Sequence, residues 1–183
     1  MARSSRGYTL IETLVSICVM AVLASAGVPS LKSMMTSRVA DSQIMDFTSA
    51  LRHARSQAMG RGEEVTLCAL ADTLEEGEPS CSSSGQDWSA GWVVFVDRGT
   101  CGRIDASDQV LRVHQRPANA GHVTAAAQRS ITFQFSGVSL KGNTTVRFSP
   151  PGRAASDKTA GGTKVVCVNK PGKARAAATT CSG

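Results

Sequence analysis

One stretch near the start limits what this chain can become. Residues 1–7, MARSSRG, are polar and basic, and YTLIETLVSICVMAVLASAGV then runs from Tyr8 to Val28 with a single charge, Glu12. A helix rises about 1.5 Å per residue and a bilayer core is about 30 Å thick, so the stretch has the length of a membrane span. A secretory signal has a shorter apolar core followed by a cleavage site. Here the apolar run passes straight into more helix-forming sequence. Arg3 and Arg6 predict a cytoplasmic N-terminus. A carboxylate at Glu12 is costly inside an apolar span and calls for a cation at the same depth.

From Leu31 the pattern turns amphipathic. Ile44, Phe47, Leu51, Ala54 and Ala58 recur at helical spacing, with Arg38, Arg52 and Arg55 off that stripe. Gly60-Arg61-Gly62 supplies a stop. The spacing therefore predicts one helix from Tyr8 to Met59. Beyond it the period shifts toward two. Strands are predicted at 65–70, 91–97, 109–115, 130–135, 144–149 and 163–169, separated by Gly, Ser, Asn and Pro clusters. Strands in series without intervening helices imply antiparallel sheet, and the long helix supplies one wall of the core.

The eleven residues from Arg6 to Ser16, RGYTLIETLVS, resemble the processing signal of type IV pilins and type II secretion pseudopilins. That resemblance implies cleavage by a prepilin peptidase between Gly7 and Tyr8, with methylation of the new terminus. It also implies that Glu12 pairs with the N-terminal amine of a neighbouring subunit during assembly. A buried carboxylate needs such a cation. Tyr8 stands where the family usually has phenylalanine, and Pro29 resembles the family's helix-kinking proline. Implied domains are a leader at 1–7, a transmembrane or fibre-core helix at 8–29, an amphipathic helical half at 30–61 and a periplasmic β-rich domain at 62–183. The fold class expected is α+β, a long N-terminal helix packed on two antiparallel sheets.

Six cysteines are too few for a disulfide-dense miniprotein. Cys18 falls in the apolar span. In an exported, oxidised region, Cys68 and Cys81 would close one loop and Cys167 and Cys181 another, each loop adding about 3 kcal/mol. Cys101 is left over. There is no CxxC or paired-His spacing for zinc, and Asp97 and Asp105 lack the ordered spacing of a calcium loop. His53, His114 and His122 are scattered, and Gly161-Gly162-Thr163-Lys164 lacks the first glycine of a phosphate loop. No enzyme activity, metal or cofactor is expected.

Charge is strongly segregated. Residues 62–108 carry a net charge of −8 and residues 109–183 a net charge of +10. Neutralisation within the fold, complementary packing between subunits and polyanion binding would each account for this. The stretch KPGKARAAATTC places Lys170, Lys173 and Arg175 around Pro171-Gly172. No aromatic residue adjoins them in sequence, so contact with the backbone of double-stranded DNA is expected rather than base stacking.

The whole chain, with its signal, its GWVVFVD strand after a Cys-bounded acidic loop and its late VVCV strand, resembles the GspH/FimT group of minor pilins. That group carries a Gly-Arg-x-Arg element linked to DNA binding in natural transformation. Gly172, Lys173, Ala174 and Arg175 match it, with Lys173 replacing the first arginine and losing its bidentate fork. Arg147, Arg153 and Lys164 are supporting candidates. The implied partners are other pilins and minor pilins, the prepilin peptidase, the bacterial inner membrane and double-stranded DNA without sequence preference. Two alternatives share this topology: a structural minor pilin that binds no DNA, and a minor pseudopilin of a type II secretion system.

Overall fold

The computed structural model describes residues 8–72, 78–83, 85–117, 119–126, 128–152, 162–178 and 180–181, and no side chains within 26–37. Helix α1 spans Leu10–Arg61. Eight strands follow: β1 Val65–Ala69, β2 Gly91–Val96, β3 Gln109–Gln115, β4 His122–Ala125, β5 Ser130–Phe133, β6 Thr144–Ser149, β7 Lys164–Val168 and β8 Ala174–Ala177. The chain divides into two compact units, Met1–Thr36 and Ser37–Gly183.

In the first unit the described side chains from Tyr8 to Ser25 are all exposed, among them Leu10 at 82% and Ile11 at 65%. Among the described residues no helix is long and apolar enough to cross a membrane. Pro29 lies within α1, and Gly7 lies outside the described residues.

In the second unit, β3-β2-β1-β5 form one sheet and β4-β6-β7-β8 another, with every pairing antiparallel. The α1 stripe Ala40, Ile44, Phe47, Leu51, Ala54 and Ala58 is buried against them. Small residues dominate that stripe, so the backbone of α1 can approach the sheets closely. Phe47 is its one large ring. It meets Trp88, Trp92 and Phe148 edge-on, with centroids 5.7, 5.1 and 5.5 Å away, the arrangement that ring quadrupoles favour. Three aromatic partners on one side chain explain how a chain with so few aromatics still fills its core.

Helix α1 ends two residues later than the sequence pattern predicts. Gly62 takes φ 70°, and its N–H donates to the Ala58 carbonyl at 3.0 Å, closing the last turn. Strands β4 and β8 were not predicted. HVTA is too short to show alternation, and ARAA is alanine-rich, poor material for a strand on propensity alone. Each forms because a neighbouring strand offers it a ladder: β4 pairs β6, and β8 pairs β7. Disulfides join Cys68 to Cys81 and Cys167 to Cys181; Cys18 and Cys101 are free and exposed.

His114 of β3 stacks on Trp92 at 4.2 Å between centroids, and its Nε2 is buried with no hydrogen-bond partner among the described residues. Burial pushes the imidazole below its ordinary pKa; Asp46 opposes this and Arg112 adds to it. The folded state thus favours neutral His114. Its contribution to stability is present above the unfolded pKa of about 6.5 and is lost as pH falls through the depressed folded value.

Two outcomes follow for the full chain in detergent. Phe47→Ala is expected to lower unfolding free energy by about 3–5 kcal/mol in urea titration, since it opens a cavity at the junction of α1 and both sheets. Met45→Ala, at an exposed site, should change it little. Thermal midpoints should fall as pH drops from about 7 to 5, and His114→Phe should flatten that slope; an unchanged slope would rule out His114 as its source.

Candidate nucleic-acid interface

The basic residues predicted near the C-terminus lie on and around the turn between β7 and β8. Val168 pairs with Ala174 at the mouth of that hairpin. The Gly172 N–H donates to the Asn169 carbonyl at 2.8 Å, and the Asn169 N–H to the Lys173 carbonyl at 3.0 Å. The Asn169 side chain accepts from the Lys173 N–H at 2.8 Å. Gly172 stands at φ 77°, a conformation glycine adopts without a Cβ penalty.

The turn is also held from outside. The Lys170 carbonyl accepts from the Ser139 N–H at 2.9 Å, and the Lys170 N–H donates to Asn143 Oδ1 at 3.1 Å. A Cβ at Gly172 would lie 2.2 Å from the Gly137 carbonyl oxygen. Gly137 belongs to a turn of the same build, closed by its N–H on the Gln134 carbonyl at 2.7 Å and also at φ 77°. Two glycine turns are therefore pressed backbone to backbone. The main chain at Lys170 and Lys173 is fixed while both side chains remain exposed. Cations presented on a fixed backbone lose less entropy on meeting an anion.

Helix α1 adds charge that the sequence pattern did not assign to this place. Arg52, Arg55 and Leu51 line a recess of about 250 Å³ together with Gly172, Lys173 and Ala174. Arg55 Nε is buried without a hydrogen-bond partner among the described residues. It lies 3.0 Å from where a Cβ on Gly137 would stand and 3.3 Å from the same point on Gly172, so it bridges the two turns. Only the tertiary fold joins these arginines to the turn; the sequence signal was their position off the apolar stripe.

The remaining candidates divide. Arg175 pairs across the ladder with Cys167 and is exposed; Ala174 beside it packs on the core, so alternation sets Arg175 on the sheet's other face. Arg147, opposite Val165 and flanked by buried Val146 and Phe148, is half-buried on that same outer face. Lys164 departs from expectation. It shares the inward parity of Val166 and Val168, and its ammonium pairs with Asp41 of α1, so the structure sets it apart from the turn. Arg153 lies outside the described residues, Tyr8 is exposed, and Glu12 is exposed in the first turn of α1.

A second recess, near Cys81 and Cys101, gathers Arg103, Arg129 and Lys141. Lys141 Nζ donates to Ser130 Oγ at 3.1 Å. Among the described residues no group of three or more His, Cys, Asp or Glu side chains is placed to hold a metal. Asp97 instead accepts from the Thr66 hydroxyl at 2.7 Å and the Gly102 N–H at 2.8 Å.

Residues 43–182 match the family described as type II transport protein GspH. The chain belongs to the GspH family. Residues 2–28 match the prokaryotic N-terminal methylation motif. This GspH-family chain is similar in structure to the type IV minor pilin FimU of Pseudomonas aeruginosa strain PAO1, in two crystal forms. One gives a TM-score of 0.51 over 75% of this chain and 91% of FimU, the other 0.52 over 79% and 89%, both at 18% identity. At that identity the likeness is one of fold: a long helix on two antiparallel sheets. No curated protein matches.

Gly172→Ala in the GspH-family domain is expected to cost about 1–3 kcal/mol, because it combines a strained φ with a backbone clash. Thermal unfolding reads this, and an unchanged midpoint would show that the two turns are not pressed together.

Proposed function

We propose that this chain is a minor type IV pilin that binds double-stranded DNA through its basic turn during natural transformation. On this reading a prepilin peptidase removes residues 1–7. Residues 8–29 then anchor the chain in the bacterial inner membrane, N-terminus in the cytoplasm and residues 62–183 in the periplasm, before it joins or primes a fibre. The methylation motif and the exposed apolar row from Leu10 to Leu23 support this. Such a row needs a covering of lipid or neighbouring subunits. Glu12, the one acid within it, is then matched by a neighbour's terminal amine.

The observation that carries DNA binding is the doubly anchored turn, with exposed Lys170 and Lys173 beside Arg52 and Arg55 of α1. Phosphate contacts of this kind position a duplex without reading its sequence. Arg175 and Arg147 extend positive charge over the adjoining sheet face. The family's description as a type II transport protein favours a second reading, a pseudopilin of a secretion fibre.

Gel shifts of the full chain in detergent, across a salt series, separate these. A log–log slope of about −2 to −4 is expected for two to four phosphate contacts, and Lys173→Ala should reduce it by about 1. Loss of binding on Lys141→Ala but not Lys173→Ala would move the site to the second recess. No shift at low salt would leave the structural pilin or the pseudopilin.

A further inference from the structure

Aromatic side chains are scarce here, and all but two are buried. Phe47, Phe95, Phe133 and Phe148 are 0% exposed, Trp88 0% and Trp92 2%. Tyr8 lies in the N-terminal unit. In the globular unit Phe135 alone stands in solvent, at 63% exposure. It occupies the tip of the turn Gln134–Gly137, a position that usually goes to Gly, Asn, Asp, Ser or Pro. Its neighbour in the core strand, Phe133, is fully buried, so the local sequence had an apolar position available and still placed a ring outside.

The place of Phe135 matters more than its exposure. Its turn is the one pressed on the basic turn: Gly137 against Gly172, with Arg55 Nε bridging them. The same hairpin reaches the basic turn again through the Ser139 N–H on the Lys170 carbonyl. Phe135 and the lysines at 170 and 173 thus sit on two turns that touch, with Arg55 Nε at their junction.

We infer that Phe135 and the basic turn together form a seat for single-stranded DNA, a base stacking on the Phe135 ring while flanking phosphates meet Lys170, Lys173 and Arg55. The inference rests on the reading of the turn as a DNA-binding surface and adds a contact that only a single strand can make. Duplex DNA hides its base faces, so a ring beside a basic groove adds nothing to phosphate contact with a duplex. A single strand exposes them, and stacking on an aromatic ring accepts any base because every base has a π-face.

The test uses the full chain in detergent, with a labelled oligothymidylate of about 16 nucleotides, the upper end of a single-fold site, and a duplex of the same length. Wild type is expected to bind both forms, and failure to bind oligothymidylate alone would overturn the inference. Phe135→Ala should weaken oligothymidylate binding by about fivefold to a hundredfold, the range measured for loss of one stacked base, with duplex binding unmoved. Phe135→Trp should restore it, and the new indole fluorescence should be quenched as oligothymidylate is added. If Phe135→Ala leaves oligothymidylate binding intact, or weakens both forms equally, the inference is overturned while DNA binding by the turn stands. If wild type binds neither form, the DNA-binding reading fails and this one with it. Impaired fibre assembly in Phe135→Ala with single-strand binding unchanged would make the ring a subunit-packing contact instead.

Discussion

The second unit depends on the packing of a narrow helical stripe between two sheets. One apolar cluster joins the α1 residues from Ile44 to Ala58 to side chains of both sheets. Alanines set the approach distance, and Phe47 fills the space that remains, touching residues from the β1–β2 connection, β2 and β6. Burial of one ring among three others combines hydrophobic area with edge-to-face attraction. The register of both sheets relative to α1 follows from that junction. So does the place of Arg52 and Arg55, one to two turns further along the same helix.

The basic turn meets the same helix, sharing a recess with Leu51, Arg52 and Arg55. The β5–β6 and β7–β8 turns are fixed there by main-chain contacts and by the absence of a side chain at Gly137 and Gly172. Cationic side chains are thereby left out of the packing. The ion pair between Lys164 and Asp41 shows the opposite use of charge in the same sheet: there the lysine ties β7 to α1.

Much of this was legible in the sequence. The leader-like start, the helix stripe and its glycine stop are local signals, and the six expected strands lie between Gly, Ser, Asn and Pro clusters. Strands β4 and β8 were not legible, because their existence depends on a neighbour's unpaired edge rather than on their own residues. Lys170 and Lys173 were readable as a basic turn. Arg55, Phe135 and the Asp41 partner of Lys164 were not, since each acquires its meaning from a residue distant in the chain. Phe135 in particular reads as one more core candidate until its hairpin tip is placed beside the basic turn.

The glycine-to-glycine contact separates shape from chemistry. Because the two turns are located by carbonyls and amides, no side chain at 170 or 173 has a share in holding them. Those positions can exchange lysine for arginine, or lose charge altogether, without moving the scaffold. The reverse does not hold: a single methyl group at 137 or 172 alters the scaffold while every charge stays. The rim of this fold is thus a surface whose selectivity can drift freely over a frame that cannot.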